Sequence, residues 1–115
     1  MKKTILLILF IAISTSCFAG SDYGALQKRL SYLNEIDEVA WVHFDKNNVY
    51  VGFNPLPHDY KFICQAAAFQ GNKALNFGVH VWAVPSDDQS WKQGNTGRYF
   101  CTTTARGGKV TKPCR

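Results

Sequence analysis

The sequence predicts an α+β domain, a two-layer sandwich with two helices packed on one face of a mainly antiparallel sheet of about five strands. Three observations predict it. Two segments repeat apolar residues at helical spacing or in helix-forming composition, several short runs are β-branched and aromatic, and turn residues sit where paired strands would reverse.

The chain opens with Lys2 and Lys3 ahead of an apolar run from Ile5 to Ile13. That run is too short for a membrane span, which needs roughly 20 apolar residues, but suits the apolar core of a signal peptide. Small residues follow at Ser14, Thr15, Ser16 and Ala19. Residues 1–19 are therefore read as a signal peptide cleaved after Ala19, and residues 20–115 as a single small α+β domain that is periplasmic or secreted. The alternative is a lipoprotein anchored through Cys17, which Ser16 precedes. In either case the mature chain is expected to carry no transmembrane segment.

Residues 22–34 place Tyr23, Leu26, Leu30 and Leu33 on one helical face. The runs VAWVHFD (39–45) and NVYVGFN (48–54) then read as a β-hairpin. With Asn47 and Asn48 as a two-residue turn, Phe44 would pair with Val51 and Val42 with Phe53. NPLPHD is a helix-entry loop, with Asp59 offered as N-cap. A second helix is expected over 60–70, rich in alanine and stopped by Gly71 and Asn72. GVHVWAVP (78–85) is the third strand, and a polar stretch over 86–97 leads to a second hairpin around Gly107 and Gly108.

That hairpin makes a prediction about cysteine. A two-residue Gly107-Gly108 turn pairs Arg106 with Lys109, and counting outward sets Cys101 opposite Cys114. The position is non-hydrogen-bonded, where Cα atoms approach to about 4.5 Å, at the short end of disulfide geometry. Pro113 cannot donate a ladder bond, so the pairing is expected to fray or bulge there. The expected role is a staple on the terminal strand, consistent with an oxidising compartment.

Cys64 is left over. A small apolar thiol packed between Ile63 and Ala67 is one reading; pairing to Cys101 or Cys114 is another. The functional alternative makes Cys64 a nucleophile near a helix start with His80 as its base, in a small cell-envelope cysteine hydrolase. No nucleophile motif surrounds it. His43, His58 and His80 show no metal-ligand spacing with Cys64 or Asp59, and the fragment from Gly107 to Lys109 lacks the remaining parts of a phosphate loop. No metal and no cofactor are expected.

Charge and face composition point elsewhere. Removing Lys2 and Lys3 from the 13 basic residues leaves 11 against 8 acidic ones, a net +3 with histidines neutral. Every carboxylate side chain lies at or before Asp88, whereas Lys92, Arg98, Arg106, Lys109, Lys112 and Arg115 follow. Such a basic strip suits anionic partners or simply a solvated edge. Strand alternation assigns Ala40, Val42, Phe44, Val51, Phe53, Val79, Val81 and Ala83 to the face beneath the helices, and Trp41, His43, Tyr50, His80 and Trp82 to the other. An uncovered face so aromatic must meet something: a partner, a second copy, or the 86–97 loop folding back with Trp91.

The sequence thus predicts an exported, non-enzymatic binding or accessory protein. Its aromatic face (Trp41, His43, Tyr50, His80, Trp82) would contact a protein or envelope partner, with Arg98, Arg106 and Lys109 as an anionic contact. A homodimer is the alternative for that face, and no specific nucleic acid is expected.

Overall fold

The computed structural model describes residues 21–115; the expected signal peptide, its expected cleavage point and Cys17 lie outside the described residues. The expected α+β architecture is what the chain adopts: two α-helices against one face of an open sheet whose strand order, β1-β2-β3-β4-β5, follows the chain. The strands are β1 (Val39–Asp45), β2 (Asn48–Phe53), β3 (Val79–Pro85), β4 (Cys101–Arg106) and β5 (Lys109–Lys112). All neighbours are antiparallel except β2 and β3, which run parallel. A parallel pair needs a long crossover, and helix α2 (Tyr60–Leu75) supplies it.

Helix α1 (Ser21–Arg29) is shorter than the periodicity suggests. The Ser31 hydroxyl bonds back to the Lys28 carbonyl at 2.9 Å, a local competitor of helical pairing, and the chain tightens into a 3-10 turn over Ser31–Glu35. The periodic leucines keep their purpose: Leu26, Leu30 and Leu33 are all fully buried, each stabilising the fold by roughly 1.5–3 kcal/mol relative to exposure.

Helix α2 runs past its expected stop at Gly71 and Asn72 to a left-handed cap at Asn76, φ 66°. Gly71 is instead a point of close approach. An ideal Cβ there would lie 2.7 Å from Leu26 Cδ1 and 3.2 Å from Val79 Cγ1, so its missing side chain lets α1 and the sheet reach the helix. Asn72 is buried and bridges two elements, donating from Nδ2 to the Phe77 carbonyl and accepting the Gly108 amide at Oδ1, each at 2.8 Å. At the other end the Asp59 side chain makes no capping bond.

The first hairpin turns one residue earlier than expected. Lys46 takes the left-handed conformation (φ 56°) and Asp45 pairs with Asn48, so Phe44 meets Val49 and Val42 meets Val51. The pairing differs from expectation by two residues, which leaves the side chains from Trp41 to Phe53 on their expected faces. Asn47 is drawn off by its Nδ2 bond to the Gly78 carbonyl, 2.9 Å. Ala40 does not join the inner face. A bulge between Val39 and Trp41 leaves Ala40 exposed and puts Val39 in the core, the one-residue insertion typical of a bulge.

The second hairpin begins as expected, with Arg106 opposite Lys109 and Ala105 opposite Val110. A bulge then sets Thr104 opposite Lys112 rather than Thr111, and backbone pairing resumes only between Thr102 and Arg115. The ladder thus steps over Pro113. Cys101 and Cys114 still meet at disulfide distance, their Cα atoms 5.2 Å apart. The inner face is one aliphatic core containing the three leucines, Val49, Val51, Val79, Val81 and Cys64. Among the described residues no helix is long and apolar enough to cross a membrane.

Candidate functional site: the outer face of the sheet

Alternation along β2 and β3 sends Tyr50, His80, Trp82 and Val84 away from the helices, while Trp41 and His43 join them from β1. Gly52 makes the arrangement possible. A Cβ at this position would stand 2.7 Å from Trp41 Nε1 and 2.8 Å from Cδ2, so the indole lies flat across bare backbone and donates to the Ser86 carbonyl at 2.9 Å.

The loop after β3 folds back on this face. A short 3-10 turn, Trp91–Gln93, sets Trp91 against Tyr50 (ring centroids 4.9 Å) and Trp82 (5.3 Å), and the three form one aromatic layer with Val84 and Trp41. Trp91 donates from Nε1 to the Arg98 carbonyl at 2.9 Å. Coverage by the loop is therefore what the aromatic area meets first, and Trp91 itself is buried. What stays open is an edge: half-buried Trp82 with Tyr99 standing against it at 5.1 Å, Tyr99 being 49% exposed. Lys92 lies 5.1 Å over the Trp41 ring, a cation–π contact. His43 stacks on Tyr50 from the far side at 6.0 Å.

Next to the aromatic layer lies a polar row. The registers align Asn48, His80, Thr104 and Lys112 across four strands, at about 4.8 Å per step. His80 Nδ1 and Thr104 Oγ1 share a hydrogen bond of 2.9 Å, and Asn48 Oδ1 accepts from Trp82 Nε1 at 3.3 Å. Burial, then the charges of Arg106 and Lys112, push the His80 imidazole below its ordinary pKa, so it is neutral at pH 7. The Arg106 guanidinium fills the space a Gly78 side chain would take, 2.8 Å from the ideal Cβ position. Among the described residues no carboxylate pairs with Arg106, Lys109 or Lys112.

Arg98 departs from the expected anionic contact. Its guanidinium is matched by two carboxylates, Nη2 to Asp87 at 3.0 Å and Nε to Asp88 at 3.3 Å, and presents no free positive charge. Asp88 also accepts the backbone amides of Ser90 (3.0 Å) and Arg98 (2.7 Å). Those bonds, the Arg98 amide foremost, hold its carboxyl down to a pKa of about 2.

The Cys64–His80 pair does not assemble. Cys64 is buried in the core beneath the sheet, and His80 points from β3 to the opposite face. Burial pushes the Cys64 thiol up to about 12, which leaves it protonated and, with the sheet between it and that histidine, without this base. His58 lies in the loop before α2, away from both other histidines in the chain order of elements.

Thr104 and Tyr99 were not among the site residues expected from the sequence, and Lys112 entered only as part of the basic strip. The same alternation would have found the first, because Thr102, Thr104 and Arg106 share the parity that faces Trp82 and His80. Setting Lys112 beside Thr104 required the bulge to fall between Thr104 and Ala105, a position that Pro113 alone does not announce. No family model, no curated protein and no solved structure matches this chain.

Proposed function

We propose that this chain is an exported, non-enzymatic binding protein whose outer sheet face engages an anionic polysaccharide of the cell envelope. The observation that carries the reading is the row of His80, Thr104 and Lys112 with Arg106 beside it, in which Lys112 and Arg106 have no carboxylate partner, flanked by the open Trp82–Tyr99 edge. Aromatic edges offer large apolar area at low entropic cost to the flat faces of sugar rings, and Arg and Lys supply the charge complement. The hydroxyl of Thr104 and the neutral imidazole of His80 add hydrogen-bonding groups that suit hydroxyl-rich ligands.

Retention on a column of sulfated dextran, compared with neutral dextran, tests this. The protein should bind the sulfated matrix, and added salt should release it because exposed charges are screened. Reversing two charges together, Arg106→Glu with Lys112→Glu, should lower affinity by roughly tenfold or more, about 1.4 kcal/mol, at unchanged fold. Retention that ignores both salt and charge reversal would rule the reading out.

A further inference from the structure

At the opposite end of the outer face, where the first hairpin meets the Trp91 loop, lies a cleft of about 70 Å³ lined by Asp45, Tyr50, Trp91, Gly94, Asn95 and Thr96. By the yardstick of about 10–15 Å³ per water, it holds a few waters or one small ligand group. We infer that it is a subsite for a primary ammonium group, R–NH3+.

The hydrogen-bonding groups left free in the cleft indicate the charge of its ligand. Two donors of the lining backbone are already used: the Gly94 amide bonds the Trp91 carbonyl at 3.3 Å, and the Asn95 amide bonds the Ser90 carbonyl at 2.9 Å. The Trp91 indole N–H is spent on the Arg98 carbonyl. An anion entering here would find no free backbone donor in these two residues. What the cleft offers a cation is the Asp45 carboxylate and the side-chain oxygens of Asn95 and Thr96, set against a wall of Tyr50 and Trp91, whose rings stack on each other at 4.9 Å. The carboxylate attracts a cation, and the side-chain oxygens can accept from its three N–H groups.

The charge balance agrees. Asp45 forms no ion pair among the described residues, in contrast to Asp87 and Asp88, which share Arg98. Its field reaches the aromatic wall: the Tyr50 hydroxyl is held above its ordinary pKa by burial and, after that, by the negative charge of Asp45. The cation Lys92, from the same loop, is turned away onto Trp41. No basic side chain lines the cleft.

The geometry also selects among cations. A quaternary ammonium has no N–H to give, so it would leave the oxygens of Asp45, Asn95 and Thr96 without a donor. The inference does not depend on the polysaccharide reading, whose cations lie on β4 and β5.

Two-dimensional NMR of the purified, disulfide-intact protein provides the test, following the Trp91 indole and Tyr50 ring resonances. Propylammonium should shift both saturably, tetramethylammonium should bind more weakly, and 1-propanol should give no saturable shift. Asp45→Asn should weaken propylammonium by about tenfold without altering the melting temperature, because Asp45 is exposed. Thr96→Val should weaken it by less. Equal response to propanol or to sodium chloride, or titrations unchanged by Asp45→Asn, would overturn the assignment.

Discussion

The two faces of this sheet are built from alternate residues of the same strands, yet they are held by different physics. Beneath the sheet, Val49, Val51, Val79 and Val81 meet Leu26, Leu30 and Leu33 in a layer whose members are fully buried. It is stabilised by area removed from water, a force without direction. Above the sheet, Trp41, Trp82 and Trp91 each direct an indole N–H to an oxygen, at Ser86, Asn48 and Arg98 respectively. That layer depends on where a loop is pinned. The difference teaches that the inner face sets whether the domain folds, while the outer face sets what surface the folded domain presents.

Three substitutions should separate the layers. Leu30→Ala opens the inner core and should cost about 2–5 kcal/mol by chemical denaturation, with no specific change at Trp91. Cys101→Ser or Cys114→Ser removes the staple on β4 and should cost about 2–4 kcal/mol. A reducing-agent melt should reproduce that loss, and free thiols at both positions in peptide mapping would refute the pairing. Gly52→Ala acts only above the sheet, driving a methyl into the Trp41 ring. It should cost about 1–3 kcal/mol, as overpacking does, and shift Trp41 fluorescence. A loss equal to that of Leu30→Ala would break the distinction between the faces.

The sequence revealed the inner layer more fully than the outer one, and the reason is periodicity. Leu26, Leu30 and Leu33 repeat at helical spacing, and Val49, Val51, Val79 and Val81 alternate, so both helices, all five strands and the Cys101–Cys114 pairing were legible. What failed were the places where the chain departs from a period. The bulge at Ala40 and the turn at Lys46 follow from tertiary partners: Trp41 needing Gly52, and Asn47 reaching Gly78. Gly71 and Asn72 carry the local signature of a helix stop, but packing against Leu26 and bonding to Gly108 keep them inside the helix. In the site, the aromatic face was legible from alternation. The cleft at Asp45 was not, because its walls come from a hairpin end and a loop whose closure depends on Asp88.

That closure carries the smallest expected effect on global stability and the sharpest test of the two-layer distinction. Asp88 gathers the amides of Ser90 and Arg98, and so fixes both ends of the segment that presents Trp91. Gly97 lets the chain approach this closely: an ideal Cβ there would lie 2.7 Å from both carboxylate oxygens. The Asp88 carboxyl titrates at about 2 in the folded protein and near its ordinary value of about 3.9 when unfolded. A depressed carboxyl contributes stability that is complete above the unfolded value and is lost as protons bind. The loop should therefore hold above about pH 4 and loosen progressively as pH falls toward 2. Among the described residues no carboxylate packs in the inner layer, so its strands should persist through that window. Hydrogen exchange should show the Trp91 indole and Arg98 amide losing protection on acidification before the amides of β2 and β3. In Asp88→Asn the same loosening should be present already at neutral pH, with little further acid response. Simultaneous loss of protection at Trp91 and in β2 would mean that the two faces unfold as one unit, and that the outer layer supports the fold as directly as the inner.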